Sequence, residues 1–280
     1  MTVITASDGV RLHAESTGCG EPVLFIHEYA GDHRSWARQV AALSREFRCI
    51  TYAARGYPPS DVPPDQHRYS YTRQADDAID VMDGLNVREA HVVGLSMGGY
   101  CALQLGMGYP ERVRSLFLAS TGTGGTASSR GEFLIEIEEL ARAFRANGSR
   151  TVAEVMALKA NRTQLRDKNR AAWGEFVAQL AEHSAEGMAL TALGVHMGRP
   201  PLYELTRELQ SIHAPTLIVC GEEDDDCVAS AIMLNRTISS SRLYLVPHSG
   251  HTLNLEDPDH YNDELRSFIK SVEQASAESR

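Results

Sequence analysis

The 280-residue chain has no excess of positive charge, no paired-cysteine pattern and no long apolar run. Its 27 lysines and arginines are outnumbered by 37 aspartates and glutamates, for a formal net charge of −10. Nucleic acids and anionic membrane surfaces recruit basic patches, so neither is an expected partner, and the acidity reads as a solubility device. The five cysteines, Cys19, Cys49, Cys101, Cys220 and Cys227, are odd in number and scattered without a C-x-x-C pair. That argues against a disulfide framework and against a thiolate zinc site. Cys49, Cys101 and Cys220 fall in apolar patterns and read as small buried hydrophobes. The first residues, Met1-Thr2-Val3-Ile4-Thr5, do not form a basic region leading into a long apolar core, as a secretion signal would. No stretch is apolar for long enough to span a bilayer, and the expected location is the cytoplasm. Repeats, low-complexity tracts and linkers are absent too. Hydrophobic residues at 42% and charged residues at 23% are ordinary for a globular chain, and the length suits one large domain with an insertion or two domains.

Against that background the chain alternates between two periodicities. Thr2 to Thr5 and Val10 to Ser16 read as strands joined by the D-G turn Ser7-Asp8-Gly9. Glu21 to His27 is a continuous apolar run, expected for a strand covered on both faces, and Phe47 to Tyr52 is another. Asp32 is the expected N-cap of a helix through Trp36, Val40 and Leu43. Tyr71 to Leu85 places Ala75, Ala78, Ile79 and Met82 on one helical face. Strands follow at Glu89 to Leu95 and Val113 to Ala119, with a helix from Met97 to Met107 between them. The alternation predicts an α/β fold with a mainly parallel sheet and helices on both faces. From Gly131 to Leu209 only helical spacing appears, after which the strand and helix rhythm returns at Pro215 to Cys220, Val228 to Ile238, Leu243 to Val246 and a last helix through Phe268 and Val272. A helical insertion between two sheet strands is expected to cap the edge where parallel sheets bind ligands, beyond the C-terminal ends of the strands.

The strand ending at Leu95 stops abruptly at Gly94-Leu95-Ser96-Met97-Gly98, and a helical pattern begins at once. Strand, tight turn and helix with a serine at the apex form a nucleophile elbow, whose flanking glycines keep the strained turn free of clashes. A serine hydroxyl needs a base. Of the eleven histidines, His251 in Pro247-His248-Ser249-Gly250-His251 follows a strand at the same sheet edge, with His248 as its nearest competitor. The imidazole in turn needs a carboxylate. Glu222-Glu223-Asp224-Asp225-Asp226 follows the strand ending at Cys220, giving the chain order serine, acid, histidine. Asp224 is favoured, with Asp226 and Glu223 as alternatives; Ser120 and Thr121 rule out an acid at the end of the preceding strand. For a tetrahedral oxyanion the expected donors are the backbone N–H of Met97 and, from the loop after His27, that of Tyr29. Candidate pocket residues in the insertion are Phe133, Ile137, Trp173, Met188 and His196, although packing within the insertion explains each equally well. His183 and His196 lack metal-ligand spacing, so no metal and no cofactor are expected.

These pieces resemble the α/β-hydrolase fold family, in particular the single-cap branch of small esterases, enol-lactonases and meta-cleavage-product hydrolases. The resemblance rests on His27 to Gly31, Arg55-Gly56, Gly94 to Gly99, Gly221 to Asp224, and Ser249-Gly250-His251 with Asn254-Leu255-Glu256. It implies a mostly parallel eight-stranded sheet with a cap inserted after the sixth strand: a core over residues 1–121 and 211–280 and a cap over 122–210. The family usually carries His-Gly where this chain has His27-Glu28. Glu28 is expected either to turn away and pair with a base such as Arg55, or to lie beside the nucleophile with His27 and act on substrate or water. A serine apex excludes branches that need a carboxylate nucleophile. The expected chemistry is hydrolysis of a small or medium carboxylic ester or lactone through an acyl-enzyme on Ser96. Alternatives are C–C bond hydrolysis of a meta-cleavage-type diketone, cofactor-free perhydrolysis, and a non-catalytic ligand receptor. The expected partner is a small-molecule substrate; monomer and homodimer are equally compatible with the sequence.

Overall fold

The computed structural model describes residues 2–278, so Met1 and the last two positions of the expected core range lie outside the described residues. Eight strands form one sheet: β1 Thr2–Thr5, β2 Arg11–Thr17, β3 Glu21–Ile26, β4 Phe47–Tyr52, β5 Ala90–Leu95, β6 Val113–Ala119, β7 Thr216–Gly221 and β8 Ser241–Val246. Their spatial order is β1-β2-β4-β3-β5-β6-β7-β8. β1, β2 and β4 pair antiparallel, and every pair from β4 onward is parallel. This is the expected α/β architecture.

The parallel strands inside the sheet are buried on both faces, unlike the edge strand β8, and their two-residue period divides them between two cores. Val23, Phe25, Val93, Leu95, Phe117 and Val219 face a layer with Trp36, Leu43 and Phe268. Leu24, Ile26, Val92, Leu116 and Ile218 face the other layer. The helices between the first six strands are α1 Ala37–Leu43, α2 Tyr71–Gly84 and α3 Met97–Gly108. A 3₁₀ turn, His33–Trp36, precedes α1, capped by Asp32, which accepts from the N–H of Arg34 while its own N–H bonds the hydroxyl of Ser35. Between β6 and β7 lie only helices: α4 Arg130–Met156, bent at Gly148 (φ 74°), α5 Thr163–Lys168, α6 Arg170–Glu182, α7 Ala185–Thr191 with a π-helical turn at Ala192–Met197, and α8 Thr206–Gln210. After β7 come α9 Asp225–Thr237, α10 Leu253–Glu256 and α11 Pro258–Glu278. No helix among the described residues is long and apolar enough to cross a membrane.

Register aligns the strand ends. Ile26 lies beside Gly94, Leu95 beside Ala119, and Gly221 beside Val246. The loops after β3, β5, β7 and β8 therefore leave one edge of the sheet together, and the inserted helices cover that edge.

Candidate active site

The elbow is built from backbone constraints. Ser96 has φ 54° and ψ −110°, a conformation that L-residues adopt only under strain. Its N–H is held by the carbonyl of Ala119 at 2.9 Å. A Cβ on Gly98 would lie 2.0 Å from the carbonyl oxygen of Ile26, so only glycine lets α3 start this close to β3. The first N–H of a helix has no carbonyl one turn back. Among the described residues, neither Met97 nor Tyr29 has a backbone partner for its N–H. Ser96, Tyr29 and His251 line a common cavity of about 100 Å³.

His251 sits on a loop fastened from both sides. Glu256 accepts from the N–H of Gly250 at 2.8 Å and of Thr252 at 3.0 Å. The N–H of His251 donates to the carbonyl of Asn161, in the cap, at 3.0 Å. The imidazole meets Asp224 Oδ2 at 2.8 Å through Nδ1. Burial alone would lower the His251 pKa, but Asp224 outweighs it and the net shift is upward from 6.5. For Asp224, burial raises the carboxyl, while the charge and hydrogen bond of His251 bring it below the ordinary carboxylate range. An ionised Asp224 accepts, so Nδ1 carries the proton and Nε2 is left as a base toward the cavity. No hydrogen bond joins Nε2 to Ser96 Oγ; instead Glu28 Oε2 stands 3.9 Å from Nε2.

Neither alternative acid bonds the His251 imidazole, and the alternative base faces outward. Glu223 bonds Gln164 at 2.7 Å, Asp226 lines the cavity but makes no bond to the imidazole, and the His248 side chain is 84% exposed. The expectation that Glu28 turns away to Arg55 is corrected. Arg55 is consumed by Asp77 at 2.6 Å and Asp8 at 2.9 Å. Glu28 is buried at the cavity wall and pairs in a two-pronged contact with Arg162 of the cap, Nη1 donating to Oε1 at 2.8 Å and Nη2 to Oε2. Arg162 also stands over the Phe176 ring, 4.8 Å from its centroid.

Phe133, Ile137 and His196 line the cavity. Trp173, Met188 and His27 do not, which corrects their candidacy as pocket residues. Trp173 donates Nε1–H to the Ala157 carbonyl at 3.1 Å, a bond internal to the cap. Met188 is fully buried, and its backbone carbonyl accepts from the Tyr29 hydroxyl at 2.8 Å. His27 is buried behind the loop: Nδ1 bonds the Glu28 carbonyl at 2.7 Å and Nε2 accepts from the N–H of Ala54 at 3.1 Å, which fixes the path of the chain toward Tyr29. Among the lining residues that no sequence pattern singled out are Thr123, Glu136, Lys159, Asn161, Arg162 and Arg199. Arg199 stands before Pro200-Pro201, a pattern that marks only a helix end, and no local pattern marks Arg162, whose partner lies 134 positions away.

Residues 21–258 match the family described as the alpha/beta hydrolase fold. The chain is 30% identical over 275 residues to a Bacillus subtilis protein named as a 2-succinyl-6-hydroxy-2,4-cyclohexadiene-1-carboxylate synthase, covering 96% of this chain and 98% of that protein. It is 27% identical over 278 residues to 3-oxoadipate enol-lactonase 1 of Acinetobacter baylyi, covering 97% of each. A thermophilic esterase from Thermogutta terrifontis superposes with a TM-score of 0.86 at 28% identity, over 97% of this chain and 98% of that one.

Proposed function

The chain belongs to the α/β-hydrolase fold family and is an enzyme of the hydrolase type; from that premise we propose that it hydrolyses a small carboxylic ester or lactone through an acyl-enzyme on Ser96, with His251 as base and Asp224 as its partner. The observation that carries this reading is the 2.8 Å bond from Asp224 to His251 Nδ1, which aims Nε2 into the cavity that Ser96 lines. In the reaction Ser96 Oγ attacks the carbonyl carbon as its proton passes to His251 Nε2, and the carbonyl oxygen becomes an oxyanion held by the N–H groups of Met97 and Tyr29. The tetrahedral adduct collapses, the C–O bond to the alcohol breaks, and the departing alkoxide takes the proton from His251. Water then repeats the sequence against the acyl-enzyme: His251 takes its proton, and Ser96 recovers one as the acid leaves. One N–H donor aimed at such an oxyanion is worth roughly 10²–10³ in kcat. The similarity to an esterase and to an enol-lactonase supports a substrate of this kind.

The test is active-site labelling with a fluorophosphonate probe together with hydrolysis of p-nitrophenyl acetate and a γ-lactone. Wild-type protein is expected to label covalently and to turn over at least one of them, and Ser96→Ala to lose both properties. Turnover that persists in Ser96→Ala, or a wild type that neither labels nor turns over, rejects the reading.

A further inference from the structure

Acyl transfer leaves part of the cavity's polar capacity unused. Arg199 lines the cavity and is 4% exposed. Among the described residues its guanidinium makes one hydrogen bond, Nη2 to the Thr123 carbonyl at 2.7 Å, and stands over the rings of Tyr100 and Phe133 at 4.8 Å and 5.1 Å from their centroids. The ionisable groups that bear on it are Tyr100, Arg130 and Cys227, none of them a carboxylate. Arg130 packs against the same segment, with Nη2 donating to the carbonyls of Arg199 at 2.6 Å and Met197 at 3.2 Å, while its buried Nη1 has no partner. Two guanidinium groups thus adjoin one wall; Glu204 bears on Arg130, whereas no carboxylate bears on Arg199.

Elsewhere the cavity's charges are matched. Glu28 faces Arg162, and Glu136 faces Lys159 at 3.3 Å. Asp226 is the remaining acid; the groups that bear on it are Asp224, His251, Glu136 and Lys159, and burial followed by Asp224 raises its carboxyl toward the neutral form. Beside Arg199, in the π-helical turn, His196 is 5% exposed and neither ring nitrogen has a partner. Burial, then Arg199 and Arg130, hold it neutral, with one N–H donor to offer. A buried unmatched donor is destabilising, and an unpaired buried cation more so. Fold stability therefore does not account for this pair, whereas an anion accepting from both relieves both. π-helical turns inside helical segments recur at functional sites for the same reason: they re-aim a side chain at the expense of regular bonding.

We propose that the substrate carries a carboxylate in addition to its scissile acyl group, and that Arg199 and His196 bind it. The substrate class is then a hemiester or a carboxylate-bearing lactone. Both residues come from the inserted helices and Ser96 from the sheet, so such a substrate spans the two halves of the site. The proposal rests on the acyl-transfer reading above for its scissile group but not for its anion site.

The experiment compares mono-p-nitrophenyl glutarate with p-nitrophenyl pentanoate, esters of equal acyl length that differ by the terminal carboxylate. At low ionic strength the wild type is expected to favour the hemiester by tenfold or more in kcat/KM. Arg199→Gln should bring that ratio close to one, and Arg199→Lys should retain part of it. A wild-type ratio near or below one, or a ratio that Arg199→Gln leaves unchanged, overturns the proposal. Glutarate binding to Ser96→Ala, read as a rise in Tm against pentanoic acid amide as the neutral control, keeps the test independent of turnover and of the folding of the Arg199 variants. If neither ester is cleaved but glutarate still raises the Tm of Ser96→Ala, the acyl-transfer reading fails and the anion site stands. If glutarate gives no shift there, the anion site fails whatever the esters do.

Discussion

Glu28 shows how one residue can be read correctly as unusual and still have the wrong partner assigned to it. Sequence placed it one position past His27, where the family carries glycine, and offered Arg55 as its base. The structure gives Arg55 to Asp77 and Asp8, and gives Glu28 to Arg162 from a 3₁₀ turn of the cap. Long-range pairing of this kind has no local pattern, so it was not legible, whereas Ser96, Asp224 and His251 sit in turns whose composition announces them. The buried pair also acts on His251, the proposed base. Among the charges on His251, Glu28 raises its pKa and Arg162 lowers it. Glu28→Gln removes the first and leaves the second, so the acid limb of the kcat/KM profile, where His251 must lose its proton, is expected to move to lower pH. Arg162→Met should move it to higher pH. Each variant strands a buried charge or removes its partner, and each is expected to lose about 3–5 kcal/mol of stability in urea unfolding. Limbs that move in the same direction in the two variants would refute this electrostatic account.

At the scale of elements, the strands and the outer helices were legible because the inner parallel strands are short apolar runs buried on both faces, and α2 has one clear apolar stripe. The order in which the strands lie and the register that aligns Ile26 with Gly94 were not, since pairing partners are chosen by packing across the sheet. The insertion was legible as helical but opaque in its contacts, because residues that pack within it and residues that line the cavity share one apolar pattern; Trp173 and Met188 fell on the packing side of that ambiguity and Phe133 and Ile137 on the other. How the insertion seats on the core depends on a backbone contact. A Cβ on Gly187, near the start of α7, would lie 2.0 Å from the Gly56 carbonyl oxygen, and the next residue, Met188, receives the Tyr29 hydroxyl. Gly187→Ala must therefore push α7 off the loop at Gly56 and shift the Met188 carbonyl that holds the Tyr29 hydroxyl. Overpacking of this kind costs about 1–3 kcal/mol, and KM is expected to rise with it. Gly174→Ala in α6, where a Cβ meets nothing within 4 Å, is the matched control and should leave KM unchanged. Urea midpoints and KM for the two variants decide the matter; an unaltered KM in Gly187→Ala would show that the insertion is not seated through this contact.

For the molecule as a whole, the buried histidines set the response to acid. Burial, the largest influence on each, lowers His27 and His91 to about 4, takes His196 well below 6.5 and lowers His33. The unfolded chain protonates these imidazoles near pH 6.5 and the native state does not, so the stability they contribute is complete above that value and is lost as pH falls through it. His251 works the other way: its raised pKa contributes stability below 6.5 that is lost as pH rises through the native value. Carboxylates enter later. Asp32, Asp224 and Glu28, all held below their ordinary values despite burial, contribute stability above about 4 that is lost below it. Asp77, Asp226 and Glu256, raised chiefly by burial, bind protons in the native state above about 4, and there they oppose the histidines. Between pH 6.5 and 5 the histidines therefore prevail, at roughly 2 kcal/mol each for His27 and His91 by pH 5. The Tm is expected to fall steadily from pH 7 to 5 at constant ionic strength. His196→Phe, which replaces an imidazole lacking any hydrogen-bond partner with an apolar ring, should flatten that fall because one proton-binding difference disappears. Scanning calorimetry across the range measures both slopes; a Tm that holds level from pH 7 to 5 in the wild type would mean that these imidazoles already bind their protons in the folded protein.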